Sequence, residues 1–238
     1  MAQQHDTDST ILSQELLLSV AEELKLPLLQ IARRIEQYEL TGEGDISSIR
    51  TTADSALRLL DNYALGVRLA LEQGTLDTES VSVSSVLYDA GQQLDSMAKN
   101  YGVELELSIA GRYGPVLANR QGLQAALVSL GSALIEALPA QGSPQLKLQL
   151  ATHRSRYGIV AGLYAETKQL SNDALQKGRQ LKRHSRQPLT SMSHTSGAGV
   201  FVADTILSAM NLHLTASRHN RLYGLGIVMQ PNHQLHLV

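Results

Sequence analysis

The chain has 238 residues, a net charge of −2, 43% hydrophobic residues, one Phe, no Trp and no Cys. That length allows one large or two small domains, with cores resting on Leu, Val, Ile and Ala. The missing cysteine excludes disulfides, thiolate chemistry and Cys-based zinc sites. No apolar run approaches the roughly 18 residues of a membrane span and no secretory signal is visible, so a cytoplasmic protein without membrane contact is expected.

The charge is unevenly spread. Residues 1–74 hold six Lys/Arg against twelve Asp/Glu, a balance of −6, while residues 145–238 hold eleven against three, a balance of +8. Ends of opposite sign indicate two modules, at 1–74 and 75–238. Docking of one module on the other explains the dipole, and so does use of the field to attract a partner. Both readings stay open.

Leu17, Ala21, Leu24, Leu28, Ile31, Ile35 and Tyr38 recur at alternating spacings of four and three, which predicts a helix over 10–40 with one apolar seam. Ser9 or Thr10 is placed to cap its start and Gly42 to end it, and Pro27 should kink it by removing one backbone hydrogen bond. Asp45 is placed to cap a second helix, in which Ile49, Ala53, Ala56, Leu60, Tyr63, Val67 and Ala70 repeat the spacing up to Gly74. Two such helices form an antiparallel hairpin that cannot bury both seams alone. Pairing with a second copy into a four-helix bundle is the economical solution.

Beyond the linker, helices are predicted over 84–99, 121–138 and 197–210, the last started by glycine. Strands are predicted over 103–109, 146–151, 157–164, 212–217, 224–229 and 234–238, with a turn at 152–156. Helices interleaved with hairpins on an antiparallel sheet define an α+β sandwich. The stretch 171–196 is polar and holds Lys177, Arg179, Lys182, Arg183 and Arg186. Such a run is either a solvated loop or a grip for an anion. It has no interleaved aromatics, so nucleic acid is not expected. The eight histidines show no metal spacing: His5 precedes the hairpin, His213, His233 and His236 fall on or beside late strands, and His153, His184, His194 and His219 in turns or the polar stretch.

The run Glu22-Glu23-Leu24-Lys25-Leu26-Pro27-Leu28 resembles the phosphoacceptor box of sensor histidine kinases, in which His, an acid, Leu, Lys, any residue, Pro and Leu follow in order. Here the acceptor position is Glu22, and a carboxylate cannot replace the imidazole that takes a phosphoryl group. The order of elements over residues 11–230 resembles the whole cytoplasmic core of that family, a dimerisation hairpin followed by an ATP-binding domain of the kinase/gyrase type. The resemblance carries the family's magnesium-binding Asn positions onto Ser129 and Ala133, and alanine has no oxygen for a hard cation. Glu136 lies nearby on another phase of the helix and reads as a solvated charge. The adenine-reading Asp becomes Ala165, followed by Glu166, and the glycines of its turn become Thr167 and Gln169. Of the second glycine box, Gly197 and Gly199 survive, where they serve either phosphate binding or helix entry. The mobile lid corresponds to the basic segment.

The resemblance therefore implies a degenerate histidine-kinase-like protein with no catalytic residue and no metal. It would be a homodimer that regulates by binding a response regulator or another histidine kinase through the hairpin. No cofactor is expected, and Gly197, Gly199, Lys182, Arg183 and Arg186 remain as anion-site candidates. The alternatives are an ATP-binding kinase or ATPase with a divergent site, and a phosphotransferase of the same architecture that does not use ATP.

Overall fold

The computed structural model describes residues 21, 24–25, 27–42, 44, 46–72, 74–109, 111, 113–140, 146–166 and 197–232. The acceptor position Glu22, the basic segment 177–186, the caps Ser9, Thr10 and Asp45, and the strand expected at 234–238 lie outside the described residues. Helix α1 covers residues 27–41 and ends at Gly42, whose positive φ of 66° and amide bond to the Tyr38 carbonyl (2.8 Å) close the helix. Helix α2 (Ile46–Glu72) follows at once and completes the hairpin.

The buried stripe of α2 is displaced from the predicted seam. Thr52, Ala56, Leu59, Tyr63 and Gly66 are buried, again at spacings of four and three, whereas Leu57 and Leu60 are exposed. The reason is tertiary. The sandwich lies against this helix and takes a face that sequence periodicity assigned to a helical neighbour. Gly66 marks the tightest point, since a Cβ there would sit 3.0 Å from Val202 of the sandwich.

The sandwich begins with β1 (Glu79–Val81) and α3 (Val83–Asn100). Ser82 caps α3, and Val83, Val86, Leu87, Ala90, Leu94 and Ala98 form its buried stripe. Then come β2 (Glu104–Ile109), β3 (Val116–Ala118) and α4 (Arg120–Ala140). Asn119 caps α4 by accepting from Gly122 N at 2.9 Å, while its own amide donates to the Asp77 carbonyl. The chain continues through β4 (Lys147–Ser155), β5 (Gly158–Ala165), α5 (Gly197–Ser208), β6 (Leu214–His219) and β7 (Leu222–Met229). The turn expected at 152–156 is only Arg156 and Tyr157, because Thr152, His153 and Arg154 prolong β4.

The main sheet has the order β2-β4-β5-β7-β6, and β1 pairs with β3 in a small second sheet. The sheet is mixed rather than wholly antiparallel, as β2 and β4 run parallel. The α4 crossover between them returns the chain in the same direction. On one face Leu148, Leu150, Ile159, Ala161, Leu163, Leu225, Ile227 and Leu214 point at α3, α4 and α5, forming the main core. Among the described residues α4 is the one helix long and apolar enough to cross a membrane, with a mean hydropathy of 1.2. Here 83% of that stretch is buried inside the fold.

Gly66→Leu is expected to lower unfolding free energy by about 1–3 kcal/mol, because the added side chain must push α2 off Val202. Urea denaturation measures this, and a variant as stable as the parent would show that the contact is dispensable.

Candidate functional site

The site that the sequence assigns to nucleotide lies where α4, α5 and the end of β5 converge. Helix α5 is largely apolar, and Val200 to Leu207 are all buried, Asp204 and Thr205 included, so it is covered all round. Gly199 sets how close it comes to α4. A Cβ on Gly199 would lie 2.5 Å from the Ser129 carbonyl oxygen and 2.9 Å from Ala133 Cβ. The two positions that correspond to the magnesium-binding asparagines are thus in direct contact with the backbone of the surviving glycine box.

Ala133 is fully buried and offers no oxygen, and a longer side chain there would have to displace α5. Ser129 supplies one hydroxyl, which is buried and has no hydrogen-bond partner among the described residues. Ala165, at the adenine-reading position, closes β5 with 1% exposure, and Glu166 beside it is exposed. A magnesium–nucleotide complex needs several oxygen ligands and a polar contact for the base. These residues do not fit that group. Gly197 stands at the first position of α5; Lys182, Arg183 and Arg186 fall outside the described residues, so the structure does not bring the anion-site candidates together.

Glu136 is not the solvated helix charge its position suggested. It is largely withdrawn from water, and Tyr101, the cap residue of α3, donates a hydrogen bond to its Oε1 at 3.3 Å. Burial pushes its carboxyl up to about 7, with the Tyr101 bond acting weakly the other way. Tyr101 also lines a narrow cleft between the hairpin and α3, with Pro27, Gln30, Thr52, Ser96 and Asn100. The acid therefore sits behind the junction of the two modules. Polar contacts there are thin: Arg34 Nη2 to Asn100 Oδ1 and Ser55 to Ser96, each 3.5 Å.

A second cluster escaped the sequence reading. His153 and His219, both expected in turns, belong to β4 and the end of β6, and their rings stack at 4.5 Å with an interplanar angle of 15°. Tyr164 of β5 lies 5.9 Å from the first ring and 5.5 Å from the second. The period-two alternation of three strands could have placed these side chains on one face, but their meeting depends on sheet twist.

No protein-family model matches the chain, and no curated protein sequence does either. Solved structures do. The Acinetobacter baumannii histidine kinase AdeS is 15% identical, with 88% of this chain and 98% of that one covered, at a TM-score of 0.49. Full-length ShkA, solved in complex with AMPPNP, is 12% identical at a TM-score of 0.51; the match covers 78% of this chain and 38% of ShkA. A bacterial phosphotransferase is 12% identical over 92% of this chain and 96% of its own, at a TM-score of 0.47. At such identities the likeness is one of fold. The chain has the fold of a histidine kinase core: an α+β sandwich of the kinase ATP-binding type, preceded by a helical hairpin.

The raised carboxyl of Glu136 fixes the sign of a pH effect. Unfolded, the group titrates near 4.5, and folded it titrates at about 7. Between those values the native state keeps a proton that the unfolded state has released, so stability falls as pH rises and levels off above 7. Glu136→Gln should remove that slope and raise stability at pH 8 by about 1–3 kcal/mol. Urea midpoints at pH 5, 6, 7 and 8 test it, and parallel profiles for parent and variant would be the contrary result.

Proposed function

We propose that this chain is a catalytically degenerate relative of the histidine kinases that acts as a dimeric binding and regulatory module in phosphorelay signalling. The observation that supports the reading most is the contact of Gly199 with Ser129 and Ala133, which brings helix backbone against the positions that the resemblance assigns to magnesium. Buried Ala165 removes the contact to the base, and Glu22 removes the acceptor imidazole. Each change alone would cost a phosphotransfer enzyme many orders of magnitude of rate.

The hairpin supports a second copy as the first partner. Leu28, Ile35, Tyr38, Leu57 and Leu60 are between 38% and 58% exposed on a single chain, and they follow the heptad spacing of an unfilled seam. A bundle of two hairpins covers them. A response regulator or a second histidine kinase is the partner class that such a scaffold would engage.

Isothermal titration with Mg-ATP and with ADP is expected to give no heat of binding at millimolar nucleotide, and purified protein should not acquire acid-labile phosphate. Binding with a micromolar Kd, or self-labelling, would replace this reading by that of an ATP-using enzyme with a divergent site. Transfer of phosphate from a phosphorylated response regulator without added ATP would favour the ATP-independent phosphotransferase.

Oligomeric state is a separate check. Light scattering at micromolar concentration should give a dimer for the parent and a monomer of unchanged circular dichroism for Leu57→Glu/Leu60→Glu. Both leucines are exposed on the single chain, so their replacement spares its core. A monomeric parent protein would rule the dimer out.

A further inference from the structure

The face of the sheet turned away from the helices carries a closed cluster of rings. Strand register puts Gln149 opposite Tyr164 and Tyr164 opposite Gly224, while Gly162 faces Gly226. Tyr164 lies flat on this glycine floor: a Cβ on Gly162 would meet its hydroxyl oxygen at 2.5 Å. The hydroxyl reaches Ser217 Oγ of β6 at 3.3 Å, and the tyrosine is fully buried although it is on the face without helices. Burial pushes its phenol up to about 12, so it remains neutral across the physiological range.

The stacked pair of His153 and His219 packs on this ring. They come from β4 and β6, separated in the sheet by β5 and β7, so their contact draws the β6–β7 hairpin over Tyr164. The hairpin turn holds His219 in place. Asn220 and Arg221 both have positive φ (47° and 68°), the signature of a two-residue type I′ turn, and Asn220 Nδ2 lies 3.1 Å from His219 Nε2. An amide nitrogen only donates, so this contact requires Nε2 to accept, as it does in a neutral imidazole. His153 Nδ1 is buried and has no hydrogen-bond partner among the described residues. A proton gained by His153 therefore buries an uncompensated charge and sets it against the ring of His219.

We infer that the His153–His219 stack is an acid-sensitive clamp that holds the β6–β7 hairpin over Tyr164 and releases it when His153 is protonated. Among the described residues the surroundings offer no counter-charge to prevent release. On this face β2 and β4 carry Glu104, Glu106 and Lys147, with Lys147 3.9 Å from the first and 2.7 Å from the second carboxylate. Glu166, just past β5, also acts on Lys147. His213 precedes β6, Arg221 is in the turn, and β7 contributes Leu222, Gly224, Gly226 and Val228, none of them charged. Among the described residues no carboxylate is bonded to either imidazole.

Burial, helped by His219, holds the His153 imidazole below its ordinary 6.5. The folded value is thus depressed below the unfolded one, so the contribution is complete above about pH 6.5 and is lost as pH falls below it. Hydrogen exchange of the β6 amides on the full chain, corrected for intrinsic rates, reads this directly. Protection should fall on the order of tenfold between pH 7.5 and 5.5 in the parent, and should not change in His153→Phe, which keeps a ring in the stack without a proton to gain. His153→Leu, which likewise has no proton to gain, gives the same answer should the first variant fold poorly. An NMR titration in which His153 protonates at 6.5 or above, or equal pH dependence in parent and variant, would overturn the proposal.

Discussion

Helix α5 is the constraint from which much of the rest follows. From Val200 to Leu207 it has no exposed side, because even Asp204 and Thr205 are buried. Leaving such a helix exposed on one face would forfeit about 1.5–3 kcal/mol for each large side chain uncovered. It is therefore covered on three sides, by the sheet, by α4 and by α2. The last contact ties the hairpin to the sandwich, since Gly66 allows α2 to approach Val202 more closely than any side chain at 66 would. Leu76 N donating to the Ala209 carbonyl at 3.0 Å fixes the chain just beyond α2 to the far end of the same helix.

The same demand shapes the candidate site. A nucleotide pocket requires a gap between α4 and α5, and a gap requires polar side chains able to face it. With alanine at 133 and alanine at 165, an open cleft would be lined by apolar surface and would cost free energy in proportion to its area. Closure is what these residues favour, and Gly199 allows closure to backbone contact. A longer side chain at 133 would press on α5, where even a Cβ on Gly199 would come within 2.9 Å of Ala133 Cβ.

Much of the architecture was legible in the sequence because its signals are local. Apolar spacing, the Gly42 stop of α1 and the glycine start of α5 mark elements within a residue or two of where they lie. What failed has a common cause. The α2 stripe was assigned to Ala53, Leu60 and Val67, although Thr52, Leu59 and Gly66 are the buried ones, because periodicity gives the spacing of a face but not what covers it. Helix phase alone said that Glu136 was solvated; the fold instead withdraws it from water and gives it a hydrogen bond from Tyr101, the aromatic cap of the preceding helix, 35 residues earlier. The three-residue strands β1 and β3 are too short for any alternation to show. His153 and His219 are 66 residues apart, and their contact exists only through the pairing of three intervening strand edges.

Glu136 and the histidine clamp act on the stability of the sandwich with opposite signs. The carboxyl, behind the hairpin junction, is most at ease when protonated and weakens the fold as pH rises toward 7. The His153 imidazole, on the opposite side of the sheet, is at ease when neutral and weakens it as pH falls below 6.5. The two windows overlap in mildly acidic solution, below 6.5, where the opposing slopes offset each other. The two faces still respond differently: a rise of pH toward 7 loads the contact between hairpin and sandwich, and acid loads the β6–β7 edge. A global unfolding curve would average these effects away. Residue-level exchange separates them, because local opening at each face has its own free energy and its own dependence on protons.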